Sequence, residues 1–294
     1  MPPGRKHKIP LNGKWLQLTD EALAKFSEAD RELFLNRELL AKDNPLAYFL
    51  PHGRRWSARR RVIADGKFVI PPSDYPEEWK NDGVAFLNDY TSDVCLLLGP
   101  NQQGKSVIGT VWSALRVVKC EPWWPIFTET PVIYPGEWSG PKQWVVASYS
   151  WDNVTTIWKR YQEFLPRYEL GQYAADWGSR TEDVGARRTL TFGDGRTKTC
   201  ELTGGSTLMF RCYTQQQMHW EGFESDGAQL DEQSPIEKMT GLQRGFTTRG
   251  DYTPICMTLT GHVLDDRPDT GASGWIKREL WDTAQDSGSY LITD

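Results

Sequence analysis

The sequence predicts an α/β fold of three layers, built on a largely parallel central sheet. The first observation is an apolar strand, "DVCLLL" (93–98), that runs through a glycine-rich loop into an amphipathic helix. The second is another strand and helix, "KQWVVASYS" (142–150) and "WDNVTTIWKRYQEFLP" (151–166). Two later strands, within "ESDGAQLD" (224–231) and "TPICMTLTGH" (253–262), complete the pattern. Strands that alternate with helices in this way are typical of parallel sheets.

Composition limits the class of protein. The 294 residues include 25% charged side chains and carry a formal net charge of -5, which argues against a surface coated with basic charge. The apolar runs are too short to span a bilayer, so we expect no membrane segment and a location in a cytoplasm. The five cysteines form no C-x-x-C pair and the four histidines lack ligand spacing, so neither a disulfide framework nor a zinc site is predicted.

The N-terminal part, residues 1–48, is predicted to be a helical extension. In "LTDEALAKFSEADRELFLNRELLAKDNP" leucines recur on one helical face, Thr19 is the expected N-cap and Asn44-Pro45 ends the pattern. Residues 49–294 then form the α/β domain. Its first part, as far as about Tyr90, is rich in Pro, Gly, Arg and Trp and is predicted to be irregular.

That irregular part contains a basic run, "RRWSARRR", with Arg54, Arg55, Arg59, Arg60 and Arg61. Five positive charges within eight residues are suited to a phosphate backbone, so these arginines are candidates for DNA contacts. A solvated basic turn that pairs with acidic side chains elsewhere is an equally good interpretation.

A hairpin is predicted in "RRTLTFGDGRTKTCELTGGSTLMFRCY" (187–213), between the second helix and the later strands. Two glycine turns, "GDG" and "GG", punctuate runs rich in Thr, Leu and Phe, and glycine-containing turns between such runs are typical of antiparallel strand pairs.

Residues 99–106 form a phosphate-binding motif. They match G-x-x-x-x-G-K-[ST] in full and lie between an apolar strand and an amphipathic helix, the context in which this loop binds a nucleotide. Backbone N–H groups and the positive end of the helix dipole would hold the β-phosphate. The Lys105 amine would bridge the β- and γ-phosphates, and the Ser106 hydroxyl would bind Mg²⁺. The motif consists of Gly99, Pro100, Asn101, Gln102, Gln103, Gly104, Lys105 and Ser106.

An acidic pair follows the short strand in "AQLDEQSP". Asp231 would support the metal through Ser106 or a water, and Glu232 would orient the water that attacks the γ-phosphate. This strand is less apolar than expected, because Gln229 interrupts it. Asp265-Asp266, which follows a more apolar strand, is a competing pair.

The adjacent Asp-Glu pair, and the whole strand-helix unit between it and the loop, indicate one branch of the P-loop NTPases. This is the additional-strand, catalytic-glutamate type, which contains motors and helicases. No N-K-x-D guanine signature is present in the sequence. ATP with Mg²⁺ is therefore the predicted ligand.

Three stretches together resemble the large terminase subunit of tailed bacteriophages, the ATPase motor that packs DNA into a procapsid. They are "LLLGPNQQGKS", "MHWEGFESDGAQLDEQSP" and "GDYTPICMTLTGH". The middle stretch is the most specific, with an aromatic-x-Gly step at 220–222, a short strand, the Asp-Glu pair and Pro235. In this family a strand that ends in small hydroxyl residues couples hydrolysis to movement, and its match here is Thr258 and Thr260.

The resemblance implies ATP hydrolysis that drives double-stranded DNA into a procapsid, with Glu232 and Lys105 as catalytic residues. It also implies a homo-oligomeric ring when active, or a monomer in isolation, with a portal protein and a small terminase subunit as partners. The implied location is the cytoplasm of the infected host cell and transiently the procapsid, outside the virion. A helicase or other nucleic-acid-dependent ATPase is one alternative, and a nucleotide-gated assembly protein without turnover is another.

Two departures from the family limit what is carried over. Family members place an arginine finger, which reaches a neighbouring subunit's γ-phosphate, shortly before the acidic strand, but "HWEGFESDG" has none. Arg211, Arg244 and Arg249 are the candidates for this role. Terminases also continue into a nuclease domain with its own carboxylates, for which this chain has no room, so no nuclease activity is expected from it.

Overall fold

The protein is described from a computed structural model. No helix among the described residues is long and apolar enough to cross a membrane. The structure describes residues 6–11, 14–28, 31–32, 58–64, 67–69, 86–87, 89–90, 92–99, 104–119, 138–171, 198–246, 253–260, 275–276 and 288–292.

The N-terminal segment begins with two strands. Strand β1 (Lys6–Leu11) pairs antiparallel with β2 (Lys14–Thr19), and the short helix α1 (Asp20–Leu23) follows at once. The start of the helix after Thr19 agrees with the prediction, but a helical extension is wrong for residues 6–19. The missed signal is Asn12-Gly13, because this dipeptide between alternating polar and apolar residues favours a two-residue hairpin turn. The predicted domain boundary at 48/49 lies outside the described residues.

The main sheet contains nine strands in the part of the chain that the structure describes. Its strands are β3 Ala58–Ala64, β4 Lys67–Val69, β5 Val94–Gly99, β6 Gln143–Ser148, β7 Lys198–Glu201, β8 Thr207–Cys212, β9 Gly227–Asp231, β10 Ile255–Thr260 and β11 Gly288–Ile292. Their order is β4-β3-β11-β5-β10-β9-β6-β8-β7. The six strands from β11 to β8 run parallel, and the others join through antiparallel pairs.

Helices cover both faces of this sheet. The longer ones are α2 (Lys105–Val117), α3 (Trp151–Phe164) and α5 (Ile236–Phe246), and α4 (Arg167–Leu170) is a single turn. Alternate residues of β6 separate into two cores: Trp144 and Val146 pack with α2 and α3, whereas Val145 and Ala147 pack with α5. Successive strand residues point to opposite faces, so a strand buried on both faces must be apolar throughout. This mixed α/β arrangement is compatible with the predicted three layers.

Several predicted elements are confirmed, and one is corrected. The hairpin of β7 and β8 turns at Gly204-Gly205, as predicted, and α3 ends at Phe164, before Pro166. The segment predicted to be irregular contains β3 and β4, which pair antiparallel. Arg59, Arg60 and Arg61 lie within β3 and pair with β11, so a basic turn is wrong for these three residues. Ala58–Ala64 lacks the strict alternation that marks a half-buried strand, which is why the sequence did not identify it.

Strand β10 lies between β5, which leads into the phosphate-binding motif, and β9, which ends in the acidic pair. In the pairing of β10 with β9, Thr258 lies opposite Asp231. In the pairing of β10 with β5, Thr258 lies opposite Leu97 and Thr260 lies opposite Gly99. Because these strands are parallel, their carboxyl ends meet at one edge of the sheet, where ligands bind in open α/β sheets.

Helix α2 packs unusually closely against the face of the sheet at Gly109. A Cβ atom on Gly109 would lie 2.7 Å from Cγ2 of Thr258 and 3.3 Å from Nε2 of Gln229. Thr258 is fully buried, and its hydroxyl donates a 2.6 Å hydrogen bond to Asp231, so the side chain cannot rotate away without losing that bond. The absence of a side chain at 109 therefore lets the helix carrying Ser106 approach the strand carrying Thr258.

We expect Gly109→Ala to lower the free energy of unfolding by about 1–3 kcal/mol, because overpacking outweighs the roughly 1 kcal/mol by which alanine favours a helix. Urea unfolding followed by circular dichroism measures this change. Thr258→Ser removes the opposing methyl and keeps the hydroxyl, so Gly109→Ala should cost clearly less in that background. An equal cost in both backgrounds would contradict the proposed contact.

Candidate active site

Asp231 is a buried carboxylate that accepts hydrogen bonds from three hydroxyls. The Ser106 hydroxyl donates to Oδ1 at 2.7 Å and the Thr258 hydroxyl donates to the same oxygen at 2.6 Å. The Ser148 hydroxyl, at the end of β6, donates to Oδ2 at 3.4 Å. Burial raises the pKa of Asp231, and these hydroxyls and the charge of Lys105 oppose the rise. The predicted Ser106 and Asp231 are therefore in direct contact although 125 residues separate them.

Glu232 departs from the strand geometry that precedes it. Its φ is 64°, in the left-handed region that a residue with a side chain rarely adopts, and such strain is concentrated at functional sites. Its N–H donates to the carbonyl of Thr258 at 2.8 Å, which keeps the backbone attached to β10. The Thr260 hydroxyl lies 3.2 and 3.1 Å from the two carboxylate oxygens. The backbone turn and this hydroxyl hold Glu232 beside the end of β10.

Lys105 and Ser106 begin helix α2, directly after Gly104. Gly104 has a φ of 82°, which glycine adopts without strain. Its carbonyl accepts hydrogen bonds from the N–H groups of Val107 and Ile108, both at 3.0 Å. Burial lowers the pKa of Lys105, and the negative charges of Glu232 and Asp231 oppose this shift. The lysine therefore lies at the helix N-terminus within the field of both carboxylates.

A cavity of about 460 Å³ opens between these groups. Its volume falls within the range of small-molecule sites, about 300–1,000 Å³. Besides the motif residues and the acidic pair, one face of α3 contributes to it. The lining residues are Gly104, Lys105, Ser106, Val107, Asn153, Thr156, Ile157, Arg160, Asp231 and Glu232.

The structure brings together six of the predicted site residues: Gly104, Lys105, Ser106, Asp231, Glu232 and Thr258, with Thr260 beside them. Gly99 is the last residue of β5. The predicted loop residues 100–103 and the competing pair at 265–266 lie outside the described residues.

The predicted arginines occupy other surroundings. Arg211 is buried, with its guanidinium carbon 3.9 Å from the centre of the Phe223 ring, and burial lowers its pKa to about 10. Arg244 is exposed and lies 3.5 Å from Glu221. Neither lines the cavity. A role for either in a neighbouring copy remains a prediction. Arg54, Arg55 and Arg249 lie outside the described residues, and of Arg59–Arg61 only the strand is described.

Arg160 is a site residue that sequence reasoning missed. It lines the cavity from α3 and forms an ion pair with Glu163, whose carboxylate lies 2.9 Å from the guanidinium. Asn153, Thr156 and Arg160 recur at helical spacing, so the sequence contained the signal that they share a face. It contained no signal that this face lines the same cavity as Lys105 and Ser106, because that depends on how α3 packs beside α2.

The polar residue within β9, Gln229, has a structural explanation. It is fully buried, yet the Tyr161 hydroxyl donates to its carbonyl at 2.8 Å and its amide donates to the Thr110 hydroxyl at 3.3 Å. Thr110 in turn donates to the carbonyl of Ser106 at 2.7 Å. The network links α3, β9 and α2 directly beneath the cavity, so it holds the strand that ends in Asp231 against both helices.

The residues present are compatible with a Mg²⁺ ion. A buried carboxylate and a serine hydroxyl meet at the cavity, and Mg²⁺ in nucleotide sites is held by one or two protein oxygens together with phosphates and waters. The described residues contain no group of three His, Cys, Asp or Glu that would form an all-protein metal cage. Ser106 and Asp231 are thus the residues that would hold the ion.

No protein-family model matches the chain, and the curated proteins contain no similar sequence. Function is therefore inferred from the motifs and from the geometry of the site.

We expect Tyr161→Phe to lower the free energy of unfolding by about 1–3 kcal/mol, because it leaves the buried carbonyl of Gln229 without this donor. Tyr149→Phe, at a largely exposed tyrosine, should change it by less than about 0.5 kcal/mol. Combining Tyr161→Phe with Gln229→Leu should cost less than the sum of the single changes, and strict additivity would contradict the network.

The difference in free energy of unfolding between wild type and Asp231→Asn should depend on pH in a defined direction. The folded protein raises the pKa of Asp231 above its ordinary 3.8, so the unfolded chain releases this proton first as pH rises. Wild type should therefore lose stability relative to Asp231→Asn as pH rises above about 4, and the loss ends once pH exceeds the raised folded pKa. Denaturant unfolding at several pH values measures the difference. Asp93→Asn, at an exposed aspartate, is the control, and a gap for Asp231→Asn that is independent of pH would contradict the expectation.

Proposed function

We propose that this protein hydrolyses ATP at the cavity bounded by Lys105, Ser106, Asp231 and Glu232. The observation that carries the proposal is the contact between Ser106 and Asp231, with Glu232 held by Thr260 next to it. Phosphoryl transfer needs positioned cations and a residue that orients the nucleophile, and Lys105 and Glu232 in this cavity would fill those two roles.

Lys105 and the start of α2 would bind the phosphates. The first N–H groups of a helix lack partners within it, and the helix dipole is positive at this end, so an anion is favoured there. The Lys105 amine adds a full charge on a buried side chain, where charge interactions are stronger than in bulk water. Bound Mg²⁺ would neutralise phosphate charge and would be held by Ser106 and Asp231.

Glu232 would orient the attacking water. A general base must lie within hydrogen-bonding distance of that water, and Glu232 lines the cavity one residue beyond Asp231. Its backbone leaves the strand conformation at a φ of 64°, and the hydrogen bond from Thr260 limits rotation of its carboxylate. Asp231 instead has both oxygens occupied by hydroxyls, which suits a supporting role.

We further propose that hydrolysis drives translocation of double-stranded DNA, as in the phage terminase large subunits that the motifs resemble. Thr258 contacts Asp231 and Thr260 contacts Glu232, so β10 carries one hydroxyl to each acidic residue. Loss of the γ-phosphate would change the hydrogen bonds of Glu232, including the one from Thr260. This change would provide a physical route from hydrolysis to movement of β10.

ATPase assays test this proposal directly, with and without double-stranded DNA. We expect Lys105→Ala to lose nucleotide binding, because it removes the cation at the phosphate site. Glu232→Gln should bind ATP and lose turnover by about 10²-fold or more, the usual contribution of a general base. Stimulation of wild type by DNA is expected if hydrolysis serves translocation.

Glu237→Gln, an exposed glutamate in the first turn of α5, is the matched control and should keep wild-type turnover. Equal turnover in wild type and Glu232→Gln would remove Glu232 as the base. Binding of ATP by wild type without any turnover would instead favour a nucleotide-gated assembly protein.

A further inference from the structure

We propose that Arg160 binds the terminal phosphate of the nucleotide from within the same subunit and so makes the site select triphosphates over diphosphates. This inference rests on the proposed function, because it assigns a residue to that same cavity. From the sequence alone, three other arginines were the candidates for the positive charge that contacts the γ-phosphate.

The position of Arg160 is the first reason. It lines the cavity that also contains Lys105, Ser106 and Glu232, on the wall formed by α3. The Cα–Cβ bonds of a helix tilt toward its N-terminus. The N-terminus of α3 follows β6, whose last residue, Ser148, donates to Asp231. The Cα–Cβ bond of Arg160 therefore starts toward the end of α3 that follows β6, while its guanidinium is paired with Glu163 and still lines the cavity of the acidic pair.

Charge balance is the second reason. A nucleoside triphosphate brings several negative charges into a cavity that already contains Asp231 and Glu232. Of the described residues that line it, Lys105 and Arg160 are the cationic ones. Lys105 follows Gly104 at the start of α2, which suits the inner phosphates, whereas Arg160 lines the cavity from a different helix, α3. Its planar fork of donors matches the oxygens of a terminal phosphate.

Arg160 forms an ion pair with Glu163, and we expect a bound phosphate to replace this partner. The Arg160 side chain is 41% exposed and that of Glu163 is 16% exposed, and the pair is separated by a single helical turn. The pair is partly exposed, and because the guanidinium is its more exposed partner, water and salt can compete for it there. Exposed side chains change rotamer in picoseconds to nanoseconds, so an arriving phosphate can take over the guanidinium.

The test compares the dissociation constants of a non-hydrolysable ATP analogue and of ADP, both with Mg²⁺, by calorimetry. We expect Arg160→Gln to weaken the triphosphate analogue about tenfold or more, as for loss of a charge-assisted hydrogen bond, while ADP changes less than about twofold. Arg160→Lys should recover part of the triphosphate affinity. Lys159→Gln removes a neighbouring exposed charge outside the cavity and should leave both constants unchanged.

Unchanged ADP binding also shows that Arg160→Gln is folded. An equal effect on both nucleotides, or none on either, would overturn the assignment of Arg160 and leave the proposed function standing. The same triphosphate loss in Lys159→Gln would assign the effect to general charge and overturn it as well. If wild type binds neither nucleotide, the proposed function fails, and the role of Arg160 fails with it.

Discussion

The carboxylate of Asp231 accepts hydrogen bonds from hydroxyls on three separate elements: Ser106 at the start of α2, Ser148 at the end of β6 and Thr258 on β10. Burial of a charge is costly unless hydrogen bonds or counter-charges compensate for it, so these elements must stay in place around the carboxylate. Gly109 helps to keep α2 in place, because the absence of a side chain there allows the helix to approach Thr258. The relative positions of the elements around the cavity therefore depend on this one carboxylate.

Asp231 and Glu232 are neighbours in the chain but have different surroundings, which suits different roles. Asp231 ends the strand and is enclosed by hydroxyls, whereas Glu232 lies in a left-handed turn and is more exposed, with Thr260 as its hydrogen-bond partner. The turn is held because the Glu232 N–H donates to the carbonyl of Thr258. Strand β10 thus supports both carboxylates, which makes it the element best placed to respond to a change at either.

Buried polar residues explain where expectation from sequence and the observed structure differ. Gln229 weakened the prediction of a strand because a polar residue in a buried strand is costly on its own. The structure supplies partners from Tyr161 and Thr110, which are 68 and 119 residues away in the chain. Arg160 was missed for the same reason, since its place beside the cavity depends on the packing of α3. Contacts between distant segments leave no local pattern, so a single sequence does not reveal them.

The sequence by itself determined the mixed α/β class, the strands 94–99, 143–148, 227–231 and 255–260, and the positions of the glycine loop and the acidic pair. Hydrophobic periodicity, glycine turns and loop composition are local properties, so a single sequence shows them. It did not determine the N-terminal hairpin or strand Ala58–Ala64, where helical and basic patterns competed with the strand signal. Only the tertiary structure decided that β10 separates β5 from β9, that Ser106 and Thr258 share one carboxylate, and that Arg160 faces the cavity. These depend on strand order and helix packing, which are set by contacts across the whole chain.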